Sequence, residues 1–254
     1  MDLSLSGRVA LVTGGSRGLG AAICLRLAQE GCDVGFTHVG DGEAAEATAT
    51  ALRATGARVW WAEADQRDAD SVESTWVAVE AALGPVQALV CNAGITRDAM
   101  MWKQTEAGWD DVLDVNLKGS FLYNRAAARR FRERAEAGPR GGAIVNITSI
   151  NGLRGKVGQI NYAASKGGLI ALTKTAAREL GRFGVTVNAL APGMVLTDLA
   201  RQLPENVLAA ARAETVLGRL TTPEEVADTV AFLLSPRGGA ITGHVVQVDA
   251  GQYI

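Results

Sequence analysis

Apolar residues along this chain come in two patterns that take turns. Short unbroken runs at residues 8–12, 33–37, 59–62, 86–91, 143–147, 185–190 and 244–248 have the form of strands buried on both faces. Between them, residues 21–29, 43–55, 70–83, 106–135, 167–180 and 223–234 repeat apolar positions three and four apart, which predicts helices. Gly31 follows the first helical segment as a C-terminal stop, and Pro223 with Glu224 and Glu225 marks the start of the last. Strands alternating with helices predict an α/β chain with a doubly wound parallel sheet of about seven strands. Residues 137–142, with a proline and glycines, read as a loop, and 198–220 as two short helices and a loop lying over the substrate. Trp60 and Trp61 are adjacent, so they point to opposite sheet faces and read as packing. No internal repeat and no Pro/Ser/Gly-rich linker divides the chain, so residues 1–254 read as one domain.

The turn after the first strand adds chemistry to this pattern. Thr13-Gly14-Gly15-Ser16-Arg17-Gly18-Leu19-Gly20 lies between a strand and a helix. Glycines there let the backbone approach a pyrophosphate, and the helix start offers free N–H groups and a positive dipole end. The second strand ends in Thr37-His38-Val39, with no acid for an adenosine ribose 2′-hydroxyl. Asp33 sits at its other end and Asp41 two residues beyond Val39. An uncharged strand end leaves room for a 2′-phosphate, and Arg17 can pair with one through a charge-assisted contact.

Further along, Tyr162 and Lys166 lie four apart at the head of a helical segment, one above the other on the same face. An ammonium so close lowers the phenol pKa and prepares it to give or take a proton. Ser149, 13 residues before Tyr162 and just past the strand at 143–147, can supply a second hydroxyl to a substrate oxygen. A Tyr-x-x-x-Lys pair alone also arises from packing; the serine and the glycine loop give it weight.

Ser149, Tyr162, Lys166 and the Gly-x-x-x-Gly-x-Gly spacing together resemble the short-chain dehydrogenase/reductase family, over residues 8–251. The resemblance implies a Rossmann-type fold with the cofactor across the carboxyl ends of the strands. It implies a catalytic tetrad of Asn116, Ser149, Tyr162 and Lys166, in which Asn116 interrupts helix hydrogen bonding and holds a water. Lys166 would also bind the nicotinamide ribose. The implied NADP(H) site takes Gly14, Ser16, Arg17, Gly18, Leu19, Gly20 and His38. To these it adds Asp65 at the adenine, Asn92, Ala93 and Gly94, and then Pro192, Gly193, Val195 and Thr197 around the nicotinamide. Cys91 stands where the family usually has a first asparagine before Asn92-Ala93-Gly94, which removes an amide. The segments at 92–98 and 151–162 look most like reductases of 3-oxoacyl thioesters, carrier-protein or CoA linked, in fatty acid biosynthesis. Dehydrogenases of steroids, sugars or cyclic alcohols remain alternatives, and a nucleotide-sensing module without chemistry is a third. Family members commonly pair long helices and last strands, which implies a homotetramer.

Composition narrows the classes. Of 254 residues 48% are hydrophobic, and the formal charge is −2, with no basic surplus for nucleic acid. No apolar run approaches the ~18 residues of a membrane span. No basic, apolar leader opens the chain, and a cytoplasmic setting is expected. Cys24, Cys32 and Cys91 form no C-x-x-C pair and read as small buried residues. His38 and His244 are the only histidines, so no metal site is expected, and His244 reads as structural. Five arginines between 125 and 134 read as a solvated helix end or as a docking patch for an acidic carrier. Arg154 and Lys156, with Arg129, Arg130, Arg132 and Arg134, are candidates for an anionic substrate handle.

Overall fold

The computed structural model describes residues 2–138 and 141–254. Seven parallel strands form one sheet in the order β3-β2-β1-β4-β5-β6-β7. These are β1 (Val9–Val12), β2 (Asp33–His38), β3 (Val59–Glu63), β4 (Val86–Cys91), β5 (Gly142–Ile147), β6 (Val185–Pro192) and β7 (Val245–Val248). Helices α1 (Gly18–Gln29), α2 (Gly42–Arg53), α3 (Ala69–Leu83), α4 (Glu106–Leu113) and α5 (Ser120–Ala137) flank the first half. The second half adds α6 (Asn151–Arg154), α7 (Ile160–Leu180), α8 (Asp198–Arg201), α9 (Glu205–Ala213) and α10 (Pro223–Leu234). The predicted doubly wound sheet is therefore the observed one.

The central strands have no polar face because helices cover both sides. One layer packs α1, α2 and α10 on Ala10, Val12, Val34, Phe36, Val90 and Val145. The other packs α3, α5 and α7 on Leu11, Leu89, Ile144 and Val187. Trp60 belongs to the second layer and Trp61 to the first, as their alternation requires. Next to the register shift between β1 and β4, the backbone N–H of Val9 donates to the Gln87 side chain at 2.7 Å.

Strand order reverses between β1 and β4, so the loops after these two strands part and open a crevice at the carboxyl ends. The segment predicted as one helix over 106–135 is divided: α4 and α5 are joined by a π-helical turn, Asp114–Gly119. A π turn releases carbonyls from the i→i−4 ladder. The Gln66 side-chain amide donates to one of them, Val115 O, at 2.7 Å and to Ala93 O at 3.2 Å. Gly119 makes room for that side chain, since a Cβ there would stand 2.5 Å from Gln66 Cγ. The loop predicted at 137–142 is shorter at both ends, because Ala137 closes α5 and Gly142 opens β5. Pro139 and Arg140 lie outside the described residues.

Candidate active site

The glycine turn after β1 is built for close approach. Gly14 and Gly18 have φ of +67° and +55°, conformations that side chains resist. A Cβ on Gly20 would lie 1.9 Å from Gly14 O. Thr13 Oγ1 accepts from the N–H groups of Asn92 and Ala93, both at 3.0 Å. The Asn92 amide donates to Thr13 O and Gly14 O, also at 3.0 Å, so the β1 and β4 loops brace each other. Helix α1 starts at Gly18 rather than at the expected residue 21. Its N-cap residue, Arg17, makes no side-chain cap, so the first N–H groups face the crevice without one. A cradle in which a Cβ would collide and a helix start is uncapped fits a dinucleotide pyrophosphate.

The crevice continues in both directions from that turn. At one end Ser16, Arg17, His38, Asp65 and Ala93 line it. At the other, Leu19 and Gly94 meet Ser149, Tyr162, Lys166, Pro192, Gly193 and Val195. Thr197 caps α8 by accepting from Ala200 N at 3.3 Å, and its methyl group lies 3.6 Å from where a Gly18 Cβ would sit. Most of the residues expected from the sequence lie along these two stretches, which share Leu19, Asn92 and Gly94; Asn116 is fully buried, and Gly18 and Thr197 line a neighbouring hollow with Leu196 and Pro223.

Each catalytic candidate is held by its neighbours. Ser149 follows β5 and accepts from Asn151 N at 3.1 Å. Lys166 is buried, donates to Ile147 O at 2.8 Å and lies 5.6 Å from the Tyr162 ring centre. The Asn116 side chain accepts from Ile95 N at 2.8 Å and donates to Ile95 O and to Ser165 Oγ at 3.0 and 3.1 Å. Asn161 receives Tyr162 N at 2.7 Å and donates to Arg97 O and Gly108 O, both at 3.0 Å, which pins the start of α7 to the β4 loop and to α4.

Burial changes the expected electrostatics. Desolvation draws the Lys166 ammonium from its usual 10.5 down to about 8. It also pushes the Tyr162 phenol up; the Ser149 hydroxyl acts the other way, and the charge of Asp98 adds to the rise. The expectation that Lys166 depresses the Tyr162 pKa is therefore corrected for this structure. Loss of solvent around the phenol is the largest influence on it.

Other expectations resolve in the packing. Cys91, in the place of an asparagine, accepts from the Asn124 amide at 3.4 Å, and burial drives its thiol pKa up. Cys24 and Cys32 are buried free thiols. His244 donates its backbone N–H to the Asn188 side chain at 3.2 Å, before β7. Arg130 and Arg134 of α5 stand beside Pro85, at the amino edge of the sheet and away from Ser149. Arg130 pairs with Glu73 and Glu80 at 2.5 and 3.2 Å, and Arg134 approaches Glu80 at 3.8 Å. Arg132 approaches Glu136 at 3.7 Å. They are not available at the mouth of the cleft, whereas Arg154 and Lys156 line it beside Tyr162. Arg154 is held by Glu214 at 2.9 Å, just after α9.

Sequence reasoning missed several residues that this geometry uses. Thr13, Gln66, Asn161 and Ser165 carry no charge and match no spacing rule, and their partners are distant in the chain. Gln159 is a further case: it donates to Asp98 at 2.8 Å and accepts from Asn151 at 3.0 Å.

A glycine cradle at a topological switch point, with Ser149, Tyr162 and Lys166 at its far end, defines a nucleotide-dependent oxidoreductase site. The chain belongs to the short-chain dehydrogenase/reductase family. Residues 14–252 match the family described as Enoyl-(Acyl carrier protein) reductase. It is 41% identical to the 3-oxoacyl-[acyl-carrier-protein] reductase FabG of Staphylococcus aureus, over 96% of this chain and 98% of that one. It is 44% identical to an acetoacetyl-CoA reductase of Rhizobium meliloti, over 97% and 98%. Among solved structures, a short-chain dehydrogenase/reductase from Serratia marcescens superposes with a TM-score of 0.91 at 36% identity, covering 98% of both chains. A dehydrogenase/reductase from Sinorhizobium meliloti gives 0.92 at 37% identity, over 100% and 98%.

Proposed function

We propose that this oxidoreductase reduces the ketone of a 3-oxoacyl thioester, carrier-protein or CoA linked, to the 3-hydroxy product with NADPH, and that residues 1–254 act as one reductase domain. The observation that carries the reading is the joining of the Gly14–Gly20 cradle to Ser149 and Tyr162 in one cleft, in a chain whose relatives bear these reductase names. NADPH, when bound, supplies the hydride. Tyr162 donates its phenolic proton to the carbonyl oxygen as that oxygen gains charge. Ser149 orients the same oxygen with its hydroxyl. Lys166 reaches Gly94, where a Cβ would lie 3.4 Å from its Nζ; this is the side for a ribose. Asn116, fixed on both sides of Ile95, holds the π turn in the position from which a water can return the proton to Tyr162. Arg17, 80% exposed at the adenosine end, is the group for a 2′-phosphate. Lys156, exposed at the mouth, suits the anionic handle of either thioester, and acyl carrier protein is one such partner. We place the enzyme in the cytoplasm as a homotetramer.

A panel of acetoacetyl-CoA, a carrier-linked 3-oxoacyl thioester and cyclic or steroid ketones, followed by NADPH oxidation, tests this. Turnover of the thioesters is expected. Reduction of a cyclic or steroid ketone with neither thioester touched would remove the substrate assignment and leave the chemistry at Tyr162.

A further inference from the structure

The adenosine end of the cleft holds as many acids as bases. Arg17, Arg67 and Arg97 line it together with Asp41, Asp65 and Asp111. Each guanidinium already faces a carboxylate: Arg17 Nε lies 3.2 Å from Asp41 Oδ2, Arg67 2.6 Å from Asp65, and Arg97 3.6 Å from Asp111. A dianionic phosphate entering here meets no surplus of positive charge.

Asp41 is the acid whose placement is least explained by the fold. It occupies the N-cap of α2, where an aspartate normally accepts from the first turn, yet it makes no such bond. Its backbone N–H donates to His38 Nδ1 at 3.3 Å, which turns the residue toward the cleft. Its Oδ2 is shielded from water and accepts no hydrogen bond among the described residues. The one cation within ion-pair range of it there is Arg17. The two partners are not alike: the Arg17 side chain is 80% exposed and that of Asp41 22%. An exposed guanidinium in so open a pair is easily drawn elsewhere. The carboxylate stays, tied into the turn between β2 and α2.

We infer that Asp41 sets cofactor discrimination by competing with a 2′-phosphate for Arg17; the inference rests on the NADPH reading above and deepens it. A carboxylate and a phosphate are both acceptors, so they oppose each other beside one guanidinium. A ribose 2′-hydroxyl has a proton to donate to Asp41. Arg17 therefore favours NADPH, Asp41 favours NADH, and the wild-type preference is narrower than Arg17 alone would give.

The test is equilibrium binding, read by nicotinamide fluorescence for NADPH and NADH. Calorimetry of adenosine 2′,5′-bisphosphate against adenosine 5′-monophosphate isolates the same phosphate. In Asp41→Asn the NADPH-over-NADH affinity ratio should rise about tenfold, the size of one charge-assisted contact. Both coenzymes should contribute, NADPH binding tighter and NADH weaker, and the nucleotide fragments should follow. Asp41→Ser, which keeps a capping oxygen for α2, covers the case in which the amide variant fails to fold. A ratio within about twofold of wild type in the folded variants overturns the inference. Wild type binding NADH more tightly than NADPH overturns the NADPH reading instead; the role of Asp41 then stands if the variants still raise the ratio.

Discussion

Tyr162 and Lys166 lie one turn apart on α7, Lys166 buried and Tyr162 half-buried on the cleft wall. In the proposed mechanism the phenol is the group that surrenders the proton. Tyr162→Phe should keep NADPH affinity and lose turnover by roughly 10²–10⁴-fold, the span of a positioned general acid. Near-normal turnover of the purified variant, with binding intact, would refute the assignment. Lys166 gives a second, independent observable. Its folded pKa of about 8 lies below the 10.5 of an unperturbed lysine. Between those values the unfolded chain holds a proton that the folded chain has released, so stability rises with pH. Relative to Lys166→Met, wild type should gain about 3 kcal/mol as pH climbs from about 8 through 10.5, in urea unfolding without cofactor. A flat difference over that window would show that the ammonium is not desolvated.

At the scale of elements, the site depends on joints rather than on helix or strand interiors. The β1–α1 turn works because Gly20 has no side chain: a methyl group there would press on the Gly14 carbonyl, which is backbone and cannot swing away. Gly20→Ala should abolish coenzyme binding by fluorescence titration while circular dichroism still reports the sheet. Retained affinity would mean the cradle is not where the pyrophosphate lies. The joint between α4 and α5 follows the same logic in reverse, since a carbonyl released by the π turn, Val115 O, is met by the Gln66 side chain. The start of helix α10 is fixed by its own cap. Thr222 and Glu225 form a reciprocal capping box, with Thr222 Oγ1 accepting from Glu225 N at 3.3 Å and the Glu225 carboxylate accepting from Thr222 N at 2.9 Å. Thr222→Ala should cost about 1 kcal/mol in denaturant unfolding and leave turnover unchanged.

For the whole molecule, exposed apolar residues suggest where copies of the chain meet. Trp109 and Phe121, on α4 and α5, are 37% and 45% exposed, and Ile254 at the C-terminus is 98% exposed. Burying them against further copies is favourable, and light scattering should return the mass of a tetramer. A monomer mass at working concentration would defeat this. Lys156 at the cleft mouth leads to a kinetic expectation. A carrier-linked substrate should exceed its CoA analogue in kcat/KM at low ionic strength, with the advantage shrinking as salt screens the approach. An advantage indifferent to salt would rule out electrostatic docking.

What the linear sequence determined was whatever depends on neighbours in the chain. Strand and helix order followed from apolar periodicity, and α10 was bounded to the residue because proline and acids mark its start. The Gly14–Gly20 turn, and the four-residue step from Tyr162 to Lys166, were legible for the same reason. Only the tertiary structure decided what depends on distance and water. It supplied the partners that hold the break at Asn116 which the family resemblance implies, since Gln66 and Ile95 reach the turn from other loops. It put Arg130 and Arg134 of α5 at the far edge of the sheet, paired with α3, because the chain must return there to start the next parallel strand. It raised the Tyr162 phenol pKa where the sequence implied a fall, because desolvation by burial is the largest influence there. Periodicity records which face of an element is buried; pairing across the cleft and loss of solvent arise only when distant segments are brought together.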